Sequence, residues 1–243
     1  MKVCLITATK NRHKQLERIV RFVLNQTYGN FVHLIYNNAP QSQRLNNNLP
    51  QEKFILINNH INLKEKRPYH TLGEIYTDAI RFVPDDVDII NFMDDDDIFL
   101  PNHIEEGVKG YIKGGKKAYK PEKSYFKQSG NRLTLVQNTL EPSIFVDANH
   151  VKANGFFNES VAQHHKWLNP LVYDKEIFVD PDGVPTYICD WSQEIPTFKT
   201  SGNPGHPDNF NNYASYSQDV GDGIITPTSK SWAEHYYKLK PSK

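Results

Sequence analysis

Apolar and polar residues alternate in blocks along the first hundred residues, with the periods of strands and helices. The short apolar runs, which predict buried strands, lie at 2–7, 31–36, 53–58 and 87–93. Two segments place apolar residues on one face at helical spacing, and they predict helices over 16–24 and 72–83. This order of elements predicts an α/β fold with a mainly parallel central sheet flanked by helices.

The pattern is less regular after residue 105. It predicts short strands at 134–136 and 143–146, helices at 147–153 and 159–171, and a turn at 180–183 between two more strands. Beyond residue 200 the chain is rich in Gly, Pro, Asn and Tyr, which predicts a long loop or tail. We therefore expect three parts, 1–105, a smaller irregular half at 106–215, and a C-terminal loop or tail at 216–243.

Composition narrows the class of protein. Lys and Arg number 28 and Asp and Glu also number 28, so the formal net charge is zero, which argues against a strongly basic nucleic-acid binder. Two cysteines, Cys4 and Cys189, do not make a disulfide framework, and Cys4 is predicted to be a small buried residue. The sequence has neither a signal-peptide pattern nor an apolar run of about 18 residues, so we expect no membrane span and a cytoplasmic location.

Polar segments follow three of the predicted strands. They are Thr7 to Arg12, Asn37-Asn38, and the four aspartates Asp94 to Asp97. In parallel α/β sheets, ligands bind beyond the carboxyl ends of the strands. The sequence therefore predicts a binding site where these three segments meet.

The four consecutive aspartates repel one another unless water, a cation or raised pKa values relieve the repulsion. On an extended segment alternate side chains share a face, so Asp94 and Asp96 can point together. Two carboxylates at the end of a buried strand suit a hard divalent ion. The alternative is a solvated acidic turn in which Asp97 caps the following helix.

Two segments resemble family 2 glycosyltransferases of the GT-A fold. Val3-Cys-Leu-Ile-Thr-Ala-Thr-Lys-Asn-Arg12 is similar to the opening strand and loop of that family, and Phe92-Met-Asp-Asp-Asp-Asp-Ile-Phe-Leu-Pro101 is similar to its DxD motif. The resemblance implies a Rossmann-like GT-A fold with a nucleotide-sugar half at 1–105 and an acceptor half at 106–215. It also implies transfer of a sugar, with inversion, to a hydroxyl acceptor. We expect the donor to be a UDP-sugar.

By the same resemblance Asp94 and Asp96 hold Mn²⁺ or Mg²⁺, and Asp95 lies near the ribose. His206 is a candidate to complete the metal shell from a closing loop. The donor-binding candidates are Thr7, Thr9, Asn11, Arg12, Asn37, Asn38, Lys66, Arg67 and Asp95. Lys64, Lys66 or Arg67 could face the diphosphate, and the alternative for them is a solvated basic loop. Asn37-Asn38 departs from the family's Asp-Asp pattern, and because an amide can donate or accept, the identity of the base stays open.

The sequence offers three candidates for the catalytic base. Gly155-Phe-Phe-Asn-Glu159 resembles the family segment that precedes an acidic pair, but Gln-His-His-Lys-Trp stands where the pair is expected. His164 and His165 are therefore candidate bases, because the pKa of histidine lies near neutrality. The alternative is that they are packed or surface histidines, and Asp190 is a third candidate base.

The acceptor is open as well. Lys109 to Arg132 is basic and aromatic, and an anionic acceptor such as a phosphorylated glycan, or a hydroxymethylated base in DNA, would suit it. The alternative for this segment is a solvated hairpin. Two other functions stay open: a sugar-nucleotide nucleotidyltransferase, which the lack of glycine in Thr7 to Arg12 disfavours, and a non-catalytic nucleotide- or glycan-binding module. The sequence does not predict an oligomeric state.

Overall fold

The computed structural model describes residues 1–46, 48–127, 133–138, 141–159, 163–190 and 217–218. The strands are β1 (Val3–Thr9), β2 (Phe31–Asn37), β3 (Phe54–Asn58), β4 (Ile89–Phe92), β5 (Ile98–Phe99), β6 (Ala118–Pro121), β7 (Lys123–Lys127), β8 (Leu133–Gln137), β9 (Phe145–Asp147), β10 (Ile177–Asp180), β11 (Tyr187–Asp190) and β12 (Ser217–Gln218). The α-helices are α1 (His13–Leu24), α2 (Leu72–Ala79), α3 (His103–Gly114), α4 (Ala148–Asn154) and α5 (His165–Tyr173). Short 3₁₀ turns lie at Gln51–Lys53, Ile80–Phe82 and Glu141–Ser143.

The main sheet has seven strands in the order β10-β6-β9-β4-β1-β2-β3. Neighbouring strands are parallel except around β9, which is antiparallel to both β4 and β6. The four strands predicted in the first hundred residues are β1 to β4, and the predicted α/β fold with a mainly parallel sheet is confirmed. The sheet also takes β6, β9 and β10 from beyond residue 105, so the functional division of the chain stays a prediction.

Side-chain alternation along β1 builds a core on each face of the main sheet. Val3 and Leu5 belong to the cluster on the side of α1 and α3, whereas Cys4 and Ile6 belong to the cluster on the side of α2, α4 and α5. Both faces of β1 are thus covered, which explains why the strand is an unbroken apolar run rather than an alternating one.

A second sheet of five strands, in the order β12-β8-β7-β11-β5, joins the core on the side of α1. β5 begins at Ile98, directly after the four aspartates, and pairs antiparallel with β11. The acidic segment therefore connects the main sheet to the second sheet. This position brings β11, which lies more than eighty residues further along the chain, next to the aspartates.

Most of the other predicted elements are present, with shifted bounds. α2 ends at Ala79 and continues as a 3₁₀ turn, β8 and β9 occupy the two predicted strand positions, and α4 ends before Gly155, whose φ is 66°. The helix predicted from Glu159 begins instead at His165, because residue 159 lies in a bend. No helix in the described part of the chain is long and apolar enough to cross a membrane.

Candidate active site

The ends of three adjacent strands bring the polar segments to one edge of the main sheet. Thr9 is in register with Asn37, and Asn37 with Asn58, across β1, β2 and β3. On the other side of β1, Ile6 is in register with Phe92, the last residue of β4. The aspartates that follow Phe92 therefore lie beside the loop that follows β1.

The acidic segment gathers three carboxylates. One oxygen each of Asp94, Asp96 and Asp97 lies within 4.8 Å of the others. Asp97 does not cap the next helix, because α3 begins at His103 with Asn102 as its N-cap residue. The third member of the group was not predicted: the sequence pairs Asp94 with Asp96, and the structure adds Asp97.

Asp97 is held by the second sheet. The hydroxyl of Tyr187 donates to its Oδ2, and the backbone N–H of Asp190 donates to its Oδ1 over 2.9 Å. Burial raises the pKa of Tyr187 well above its usual value, and the nearby charge of Asp97 raises it further. Tyr187 therefore stays protonated and remains a donor to this carboxylate.

Asp95 points to the loop after β1 instead. Its Oδ2 accepts a hydrogen bond of 2.7 Å from the hydroxyl of Thr9, and its Oδ1 accepts one of 2.7 Å from the guanidinium of Arg12. The same guanidinium lies 3.4 Å from Oδ2 of Asp96. Burial raises the pKa of Asp95, and the charge of Arg12 opposes that rise. The segment is thus divided into Asp95, which is hydrogen-bonded to Thr9 and Arg12, and three carboxylates that lie together, of which Asp96 also lies near Arg12.

The other donor-binding candidates differ in how many of their hydrogen-bonding groups already have a partner within the protein. Thr7 is buried, donates to the carbonyl of Met93 over 2.8 Å and contacts Nε2 of His33, so it fastens β1 to its neighbours. Asn37 donates to the Gln41 carbonyl and accepts from a backbone N–H two residues on, which commits it to a turn. Asn11 is exposed with a φ of 55° at the turn into α1.

Asn38 is the amide that stays open. Its side chain is buried and makes no hydrogen bond to any described residue, while its backbone N–H donates to the Thr9 carbonyl over 3.0 Å. Nearby, the side-chain nitrogen of buried Gln43 also lacks a partner, and its backbone N–H donates to Asn58. The sequence predicted Asn38 together with Asn37 but gave no signal for Gln43.

Lys66 and Arg67, the two basic candidates in the loop between β3 and α2, have different surroundings. Lys66 is exposed and has a φ of 55°. Arg67 forms an ion pair of 2.7 Å with Glu74 of α2, and this partner lowers the pKa of Glu74 to about 2. Arg67 therefore fixes the loop to α2, and a role at a diphosphate stays a prediction for both residues.

The histidine pair lies at the start of α5, with one ring inside the protein and one outside. His164 is buried against the rings of Tyr76, Phe92, Phe156 and Trp167. Burial lowers its pKa to about 3, so it is neutral at physiological pH, and its Nδ1 has no hydrogen-bond partner. His165 is exposed. Of the two, His165 has the greater access to a substrate.

Asp190 lies within a buried ionic group. Its carboxylate is 3.4 Å from the guanidinium of Arg18 and 3.8 Å from the ammonium of Lys127, and both Asp190 and Lys127 are almost fully buried. Arg18 also donates to the backbone carbonyl of Asp95 over 3.4 Å. The sequence gave no signal for Arg18, which has the spacing of a solvated residue on α1. His206 and Arg132 lie outside the described residues.

The family profile of glycosyl transferase family 2 matches residues 4–178. The chain belongs to this family. The predicted resemblance is thereby confirmed, and the segments that carry it, the loop after β1 and the DxD-like aspartates, both lie within the matched range. No curated protein matches this family member significantly in sequence.

Solved structures similar to this family 2 chain share its GT-A fold. Residues 1-349 of S. aureus TarS in complex with UDP-GlcNAc align with a TM-score of 0.59 and 13% identity, covering 87% of this chain and 64% of that one. The mannosyltransferase PcManGT from Pyrobaculum calidifontis, in complex with GDP-Man and Mn²⁺, aligns with a TM-score of 0.54 and 12% identity, covering 82% and 59%. The chain thus spans about 60% of the length of these two solved chains.

Proposed function

We propose that this chain is a metal-dependent, inverting glycosyltransferase that moves a sugar from a nucleotide-sugar donor to a hydroxyl acceptor. The observation that carries the proposal is the sorting of the acidic segment. Three carboxylates lie together at the end of β4, while Asp95 turns to the loop that follows β1 and accepts hydrogen bonds from Thr9 and Arg12 there. Membership of family 2 supports the same activity.

The three grouped carboxylates fit a hard divalent cation. Their oxygens lie within 4.8 Å of one another, Asp96 and Asp97 are buried, and oxygen ligands are those that Mn²⁺ and Mg²⁺ prefer. We assign Asp94, Asp96 and Asp97 to the metal, with His206 kept as a further candidate. When bound, the metal would stabilise the negative charge that develops on the leaving nucleoside diphosphate.

The donor site follows from the same geometry. Thr9 and Arg12 orient Asp95, which we place near the ribose, and Asn38 offers its unused amide to the base. We expect a UDP-sugar. A GDP-sugar is the second donor to test, because an amide can accept or donate and PcManGT is described with GDP-Man.

The acceptor is proposed only as a hydroxyl compound. Three charges of the basic stretch predicted to bind an anion are used within the protein: Lys109 pairs with Glu105 and Glu106, Lys113 with Asp180, and Lys127 with Asp190. These three are less available to a phosphate backbone, and the experiment decides the class of acceptor. Hydroxymethylated DNA and phosphorylated glycans are both included among the acceptors to be tested.

The experiment measures nucleotide release from UDP-GlcNAc, UDP-glucose and GDP-mannose, with Mn²⁺ and with a chelator. Free sugars, phosphorylated glycans and hydroxymethylated DNA are added in turn as acceptors. We expect Mn²⁺-dependent release of one nucleotide, raised by one acceptor class, and release that the chelator abolishes. Pyrophosphate formed from a nucleoside triphosphate and a sugar 1-phosphate would instead identify a nucleotidyltransferase. Nucleotide binding without turnover of any donor would identify a binding module.

A further inference from the structure

Glu141 lies beside the acidic segment although it is far from it in sequence. β9 runs antiparallel to β4, with Asn91 in register with Phe145. The residues that precede Phe145 therefore run alongside those that follow β4, which are the aspartates. The turn is also fastened there, because the Asn91 amide donates to the carbonyls of Pro142 over 2.8 Å and Ile144 over 3.0 Å.

The buried ring of Tyr76 on α2 is close enough to both Glu141 and the aspartates for their charges to raise its pKa. Its pKa is raised well above the usual value by burial first, and then by the charges of Asp94, Asp95, Asp96 and Glu141. The charges of the proposed metal site and of Glu141 thus act on the same buried ring. Glu141 accordingly lies at the carboxyl end of β4, on the acceptor half of the chain.

Two further side chains face Glu141 from the elements packed around it. Burial raises the pKa of Glu141, whereas its own backbone N–H and the positive charges of His165 on α5 and Lys120 on β6 oppose that rise. Lys120 does not pair with it, since its ammonium donates to the Asn138 carbonyl over 2.6 Å. Together with Tyr76 on α2, these are the titratable groups around the carboxylate.

Glu141 has different charged neighbours from Asp190, the carboxylate of the acceptor half that the sequence offered as a candidate base. Asp190 is buried between the cations of Arg18 and Lys127. Glu141 is partly exposed and has no ion pair within the described part of the chain. A partly exposed carboxylate that is not bound to a cation, and whose surroundings favour the protonated form, is suited to accept a proton.

We propose that Glu141 is the general base that deprotonates the acceptor hydroxyl. The acceptor oxygen forms a bond to the anomeric carbon, and the bond from that carbon to the diphosphate oxygen breaks. The electron pair of the broken bond stays on the diphosphate, and the hydroxyl proton passes to the Glu141 carboxylate. The inference rests on the proposed transferase function, and it places the base on a residue outside the three candidates that the sequence offered.

The test compares Glu141→Gln with wild type in two measurements. One is the rate of nucleotide release from the donor that wild type turns over best, and the other is the thermal shift produced by UDP with Mn²⁺. We expect the rate to fall about 100- to 10,000-fold, the usual contribution of general base catalysis, with an unchanged thermal shift. Glu159→Gln, which alters an exposed glutamate in the bend before α5, is the matched control and should keep the wild-type rate.

A pH profile separates a base from a residue that only supports the fold. Wild-type activity should fall as the pH drops and Glu141 becomes protonated, and the residual activity of Glu141→Gln should lack that acid limb. The proposal is overturned if Glu141→Gln keeps the wild-type rate, if it loses the UDP thermal shift along with activity, or if His165→Asn removes the acid limb instead. Wild type that binds UDP with Mn²⁺ but turns over no donor defeats the proposed function itself, and this inference with it.

Discussion

Asp190 holds Asp97 through its backbone: the N–H of Asp190 donates to Oδ1 of Asp97 over 2.9 Å. The contact joins the end of β11 to the acidic segment at the start of β5, two strands that pair antiparallel. Tyr187, three residues earlier on β11, donates to the other oxygen of the same carboxylate. The second sheet therefore fixes the orientation of one of the three proposed metal ligands.

The first prediction removes one of these donors. Tyr187→Phe leaves an oxygen of buried Asp97 without its hydrogen bond, and such a loss at a charged group costs about 1.5–3 kcal/mol of unfolding free energy. A carboxylate that is held less firmly should also bind Mn²⁺ several-fold more weakly. Denaturant unfolding and a Mn²⁺ titration of UDP binding measure the two effects.

The matched control is Tyr173→Phe, since Tyr173 is 80% exposed at the end of α5. It removes the same hydroxyl from a surface ring and should change neither quantity. Equal Mn²⁺ affinity in Tyr187→Phe and wild type would contradict a positioning role for Tyr187.

The second prediction concerns the metal site itself. Asp96→Ala should abolish Mn²⁺-dependent nucleotide release while leaving the unfolding free energy unchanged or raised, because the relieved repulsion from two other carboxylates offsets the lost 3.4 Å contact with Arg12. Nucleotide release with Mn²⁺ and thermal unfolding without it are the measurements. Asp85→Ala, at a fully exposed aspartate that precedes β4, should keep the wild-type rate. A stable Asp96→Ala variant with normal turnover would exclude Asp96 as a ligand.

The sequence predicts the parts of this site that depend on local order. The apolar run over β1, the helical spacing of α1 and the aspartates after β4 are periodic signals carried by neighbouring residues. Asp97 and its two donors could not be predicted in the same way, because Tyr187 and Asp190 reach it through the pairing of β5 with β11. The sequence of a short strand does not indicate which strand it will pair with.

The same limit applies to side chains whose role depends on burial. Asn37 and Asn38 are identical in sequence terms, yet one completes a turn and the other keeps an open amide. His164 and His165 differ likewise, since only the first packs into the aromatic core. The surroundings and partners of each residue of an identical pair follow from the tertiary packing and not from the residue type.

The third prediction tests the contact between α2 and the segment before α5. A Cβ built on Gly73 would lie 1.8 Å from the Phe157 carbonyl oxygen, and the Gly73 N–H donates to the Glu159 carbonyl. Gly73→Ala should therefore destabilise the protein by about 1–3 kcal/mol, as overpacking does, although alanine is the better helix former. Denaturant unfolding measures the change.

Gly29→Ala is the control for this substitution, because a Cβ at Gly29 meets nothing within 4 Å. It should leave stability within about 1 kcal/mol of wild type or raise it slightly through the loss of unfolded-state entropy. If Gly73→Ala were as stable as Gly29→Ala, the close packing of α2 against the 157–159 segment would be wrong.

The fourth prediction is that the protein loses stability in mild acid through its buried histidines. Burial lowers the pKa of His33, His103 and His164 to about 3 in the folded chain. In the unfolded chain the pKa of histidine is about 6.5. Between these values the unfolded state binds more protons, so the unfolding free energy falls as the pH decreases. Each histidine contributes about 1.4 kcal/mol per pH unit over that range.

Replacing one of the three buried histidines isolates its contribution to the pH dependence of the unfolding free energy. His164→Asn should make the plot of unfolding free energy against pH shallower by about 1.4 kcal/mol per unit between roughly pH 6 and 4, because one proton fewer is taken up on unfolding. His13→Asn changes an exposed histidine of α1 and should leave the slope as it is. Urea unfolding at several pH values gives the slopes. A His164→Asn slope equal to that of wild type would mean that the His164 ring protonates in the folded chain, and it would return His164 to the candidates for the catalytic base.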